Sequence, residues 1–185
     1  MAKNATYSAT REVRTFADLY HGASVMLKKS DENAQGSNFT NMAAILFSAF
    51  TLEAYLNHLG EIKIDFWPQM ESIKVMDKYS CLCRLLSVQP DFSKRPYQTL
   101  SKLFRFRNSL AHGRTQILKK EELINAGDDP WTHSPKTDWE EYCTPSNAKR
   151  AKDDVGSVIA ELHKAAGLGD HPFLHGMTIS SVALK

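Results

Sequence analysis

Cysteine is scarce in this sequence. Three residues in 185, an odd number without framework spacing, exclude a disulfide scaffold and fit a reducing, cytoplasmic setting. Cys81 and Cys83 fall two apart in a helical-looking stretch, where they point in nearly opposite directions and cannot share one ion. Long apolar runs are also lacking. The longest, Met42 to Leu52, spans eleven residues and includes Ser48 and Thr51, against the ~20 that cross a bilayer. The start, MAKNATYSATREVR, holds no apolar stretch of a secretory signal, so no membrane association is expected and the sequons at Asn4 and Asn38 carry no weight. There is no Walker-type or dinucleotide-binding glycine loop, no G-x-S-x-G elbow and no internal repeat, which leaves the common hydrolase and dehydrogenase chemistries unsupported. Near the C-terminus His163, Asp170, His171 and His175 form a loose cluster, but Pro172 and the flanking glycines argue against a ligand-bearing helix. Neither a metal nor another cofactor is expected.

What is present suits a packed domain: 42% apolar and 24% charged residues lie far from a disordered composition. The length argues for one domain, with a core at about 10–112 and 145–167, an insertion over 114–144 and a tail over 168–185. Net charge is only +2, yet residues 92–120 hold eight basic residues and no acid, so the remainder is net −6. Lys102, Arg105, Arg114, Lys119 and Lys120 in that window are candidate phosphate contacts; a solvated basic helix face is the plainer alternative.

Hydrophobic periodicity near 3.6 predicts an all-α fold. A first amphipathic helix covers 11–28, and a second, apolar around more than half its circumference and hence central, covers 38–60. Pro68 fits the first turn of a third helix over 69–87. Pro96 opens a fourth that ends near His112-Gly113, with Gly113 free to take a left-handed conformation. Thr144-Pro145 is an N-cap and N1 pair for a fifth over 146–166. No alternating run predicts a sheet. The segment before the last helix carries Trp131 and Trp139 without periodicity; it reads either as an insertion packing its own small cluster on the bundle or as a flap or subunit contact.

Two charges fall on apolar faces. At about 100° per residue, Arg107 lies about 20° from Leu100, in the middle of the fourth helix's apolar stripe, while Lys102, Arg105 and Ser109 take the opposite side. Glu53 lies about 20° from Leu46 on the second helix, and Asn57 shares that face. A buried charge needs a partner, a wet cleft or a subunit interface. Pairing of Glu53 with Arg107 is the economical expectation, and Glu53 and Asn57 can line one cleft.

The run Arg107-Asn108-Ser109-Leu110-Ala111-His112 within FRFRNSLAHG, preceded by a helix reading AFTLEAYLNHLG, resembles the R-x4-6-H signature and core helices of the HEPN family. The resemblance covers about residues 10–165. It implies an up-and-down helical bundle of about five helices and a homodimer whose two motifs face one cleft. It further implies metal-independent endoribonuclease activity on single-stranded RNA with Arg107, Asn108 and His112 as catalytic residues, and a toxin or phage-defence setting. A cognate antitoxin or nucleotidyltransferase-like protein is a further implied partner. His112 can exchange protons near neutral pH, Arg107 offers a permanent charged fork to phosphate oxygens, and Asn108 can orient either. Other members of the family have lost cleavage and bind RNA, nucleotide or protein, which stays open as the second reading. A bundle whose Arg–Glu pair is purely structural is the third.

Overall fold

The protein is described by a computed structural model covering residues 4–184. Among these residues it is mostly helical, with packed helix pairs and one small antiparallel sheet. In chain order the elements are β1 (Ala5–Arg11), α1 (Thr15–Glu32), α2 (Ser37–Lys63), α3 (Trp67–Met70), α4 (Val75–Leu85), α5 (Tyr97–Ala111), a 3-10 turn (Pro130–His133), α6 (Asp138–Tyr142), α7 (Pro145–Ala165) and β2 (Thr178–Leu184).

α2 occupies the centre, packing on α1, α7, α4 and α5. Its Ala44, Ile45, Ala49, Leu52, Tyr55, Leu56 and Leu59 are fully buried. A helix surrounded by neighbours must be apolar nearly all round, and the same property makes α2 long and apolar enough, by length and composition alone, to cross a membrane. The shorter apolar run read from the sequence understated it, because Asn41 and Glu53 bound the run without ending the helix.

α5 is fixed to α7 near its start. Arg95 Nε and Nη2 donate to the Asp154 carboxylate at 2.8–3.1 Å, and Thr99 Oγ1 donates to the same group. Asp154 is buried, so its charge is compensated by one cation and a hydroxyl. α7 starts as the sequence suggests: Thr144 Oγ1 accepts the Asn147 backbone N–H at 3.2 Å, with Pro145 in the first turn.

Four expectations need correction. The third helix is broken into α3 and α4. In one continuous helix Trp67 would sit about 110° from the mean direction of Tyr79, Leu82 and Cys83, yet all four are buried, so the chain turns at 71–74 to bring both groups inward. Trp67 then lies against Gly60, where a Cβ would overlap the indole. Gly113 is not left-handed; α5 ends through His112 N–H to Asn108 O (3.0 Å) and Gly113 N–H to Leu110 O (3.4 Å). A sheet does exist, since β1 pairs with β2 from Ala5–Leu184 to Arg11–Thr178, and this takes up much of the segment read as a tail. It also starts α1 four residues later than expected. The ribbon escaped the periodicity test because β1 is exposed on every residue, and without a buried face no alternation is required.

The insertion divides in two. Residues 113–125 have neither helix, strand nor turn, and every residue of 111–127 is exposed. Beyond it, α6 returns to the bundle with a full capping box at Thr137 and Glu140. Trp139 and Tyr142 pack against the core, the Tyr142 ring 5.5 Å from Phe106. Trp131, by contrast, is exposed.

Candidate functional site

The C-terminal half of α5 brings Arg107 onto α2. Arg107 Nη2 donates to Glu53 Oε2 at 3.1 Å, and both side chains keep 26% exposure. The helical phases of the two residues dictate this meeting, since each is centred on the face its helix turns to the other. Arg107 Nη1 donates to Asn108 Oδ1 at 3.0 Å, and the guanidinium carbon stands 5.7 Å from the Phe50 ring centre. Arg107 Nε is buried without a protein partner. The guanidinium is therefore held on two sides, by a carboxylate that offsets its charge and an amide that fixes its plane.

Asn108 and His112 are four residues apart, on one side of the final turn. Both are exposed. His112 is the C-cap residue of α5, and its ring has no hydrogen bond among the described residues. A histidine at this place is exposed and open to an external group.

Asn57 lies one turn beyond Glu53 on α2, but its partner is a residue that sequence reasoning passed over. Lys78 of α4, buried, donates from Nζ to Asn57 Oδ1 at 2.8 Å. Two cations thus reach α2 one turn apart, Arg107 at Glu53 and Lys78 at Asn57. The helical phase that singled out Glu53 and Arg107 would have found Lys78 too, since it lies about 40° from Leu82 on the buried stripe of α4.

Half of the basic window is engaged internally: Lys94 with Asp91, Arg95 with Asp154, Arg107 with Glu53 and Lys120 with Glu122. Lys102, Arg105, Arg114 and Lys119 have no ion pair among the described residues and are exposed. They are not gathered at Arg107. Lys102 and Arg105 line a separate groove of about 360 Å³ with Phe106, Ser109, Trp139 and Tyr142, where Asp138 and Glu141 oppose them. Arg114, Lys119 and Lys120 lie on the exposed segment after His112.

A second titratable cluster, unforeseen from sequence, sits on the same stretch of α2, built on Tyr55 and His58 where α1 and α7 pack. Tyr55 Oη is 3.1 Å from His163 Nδ1, and the His58 ring lies 4.9 Å from Phe16. Burial pushes His58 below the ordinary histidine range, helped by Arg14 and His163, and burial does the same to His163. No group of three or more His, Cys, Asp or Glu side chains among the described residues is arranged to hold a metal ion. His175 Nδ1 instead meets Asp18 at 3.0 Å.

Comparison of the chain with family models, with curated proteins and with solved structures finds no match in any of the three.

Proposed function

We propose that this protein is a HEPN-like, metal-independent endoribonuclease for single-stranded RNA, acting as a homodimer in the cytoplasm within a toxin or phage-defence system. What supports the reading best is the half-buried guanidinium of Arg107, held by Glu53 and Asn108, five residues before His112, whose exposed ring has no hydrogen bond among the described residues. Cleavage needs the 2′-oxygen to attack phosphorus while the bond to the 5′-oxygen breaks, leaving a 2′,3′-cyclic phosphate and a 5′-hydroxyl. His112 takes the 2′-hydroxyl proton, and its twin from the second copy gives one to the departing 5′-oxygen. Arg107 stabilises charge on the pentavalent phosphorus, with Glu53 keeping the fork in its pose. Asn108 orients His112 or the scissile phosphate.

Labelled single-stranded RNA incubated with the protein in EDTA tests this. Cleavage to cyclic-phosphate ends is expected, reduced by ~10²–10⁴-fold in His112→Ala and lost also in Arg107→Ala. Cleavage that survives in both folded variants overturns the reading.

A second reading, an RNA-binding module without cleavage, is favoured by the distribution of free charge: Lys102, Arg105, Arg114 and Lys119 are exposed and unpaired among the described residues, whereas Arg107 is occupied. Salt-sensitive binding without cleavage would decide for it.

A further inference from the structure

The segment that leaves α5 after His112 is unlike the rest of the chain. It has no secondary structure over 113–125, yet carries apolar side chains in water, Ile117 at 86% exposure and Leu123 at 102%, with Leu118 and Ile124 also exposed. None of the four belongs to the hydrophobic core of its own chain.

Its order of residues says what fits there. Gln116-Ile117-Leu118-Lys119-Lys120 is followed by Glu121-Glu122-Leu123-Ile124-Asn125, so read from the Lys120–Glu121 junction outward in either direction it runs charged, charged, apolar, apolar, amide, with the charges of opposite sign. Around a twofold axis, residue i of one copy meets j of the other while j meets i. An antiparallel crossing of two copies centred on that junction lays both lysines against both glutamates and Ile117-Leu118 against Leu123-Ile124, on both sides of the axis. A partner of any other sequence would have to supply this pattern; a second copy of the chain has it already.

We infer that this arm is a self-complementary dimerisation element, pairing antiparallel with the same segment of a second copy of this chain. In a single copy Lys120 meets Glu122 and Glu122 meets His133 at 3.4 Å, both at the surface, where such pairs are worth little and are readily exchanged. The crossing point lies eight residues beyond His112, so the pairing ties two copies of α5 into one particle. The inference does not depend on RNA cleavage.

Charge reversal tests it. Sedimentation or light scattering should give a dimer for the native chain. Lys119→Glu/Lys120→Glu and Glu121→Lys/Glu122→Lys each set four like charges against four, and each should weaken self-association by about 100-fold or more. Mixing the two variants should restore a heterodimer, and the chain carrying all four changes should dimerise again. On a Cys81→Ser background, Glu121→Cys should form a disulfide-linked dimer under mild oxidation, and the exposed Ser157→Cys on α7 should not. Because the arm contributes no residue to the hydrophobic core of one copy, all variants should keep the native circular dichroism. A monomeric native chain, or a dimer unmoved by either charge reversal, overturns the proposal. RNA cleavage measured on the same proteins separates its failure from failure of the nuclease reading.

Discussion

Two stretches of the chain are similarly rich in leucine and isoleucine and end in opposite places. In α2, Ile45, Ala49, Leu52, Leu56 and Leu59 are fully buried; in the arm, Ile117, Leu118, Leu123 and Ile124 are exposed. Spacing separates them. The apolar residues of α2 recur so that most sides of the helix meet a neighbour, whereas those of the arm bracket four consecutive charges. Wound as a helix, the arm would scatter them around its circumference, and extended, it would put two charges between them on each face. Such a segment cannot add to its own chain's core. Apolar content alone therefore does not locate stability in this molecule; its periodicity does.

The contrast can be broken by substitution. The largest effect is expected from Leu52→Ala, which should cost ~2–5 kcal/mol and lower the thermal midpoint by about 2–4 °C per kcal/mol. Next comes the half-buried ion pair. Arg107→Met strands the Glu53 carboxylate and should cost about 1–3 kcal/mol, less than a fully buried pair because solvent still reaches both groups; adding Glu53→Gln should recover much of the loss. Calorimetry of the single and double variants checks it.

A smaller effect comes from pH. Free in the unfolded chain, His58 and His163 bind protons near pH 6.5. In the folded chain burial lowers both, with Arg14 pushing the same way, Glu61 and Glu12 pulling His58 back and the Leu168 backbone pulling His163 back. Between those values the unfolded state holds more protons, so this contribution to stability is complete above the ordinary histidine value and declines as pH falls through it to the lowered values. The thermal midpoint should drop modestly from about pH 8 to about pH 5, and less in His58→Gln/His163→Gln. Carboxylates titrate lower and are common to both proteins, so the difference between the two profiles is the measurement. The smallest effect is expected in the arm: at a dilution where the chain is monomeric, Leu123→Ala should stay within ~0.5 kcal/mol of the native midpoint. A loss there comparable to that at Leu52 would mean the arm folds back onto its own bundle.

Periodicity and caps made α2, α5 and α7 legible to within about three residues at each end, because each turns a continuous apolar stripe to its neighbours. The meeting of Glu53 with Arg107 was legible for the same reason, each being a charge centred on such a stripe. Other features were not, and the causes are specific. The β1–β2 ribbon has no buried face to impose alternation. The break between α3 and α4 arises from Trp67 having to reach Gly60, a tertiary demand invisible in local spacing. The partition of Lys102 and Arg105 from Arg107, by contrast, was legible, since their helical phases put them on opposite sides of α5. The Tyr55–His163 contact joins residues 108 apart in sequence, a separation that no motif spans.

The clasp of Arg95 and Thr99 on Asp154 gives α5 a fixed angular setting well before the motif begins. Twelve residues separate Arg95 from Arg107, and the guanidinium reaches Glu53 only while that count holds. One residue inserted between Thr99 and Phe106 would rotate everything downstream by about 100° and advance it by about 1.5 Å, swinging the arginine off α2 even though composition, charge and helix propensity would scarcely register the change. The interval between clasp and motif is a ruler, and its length in residues is as much a part of the site as the side chains at its end.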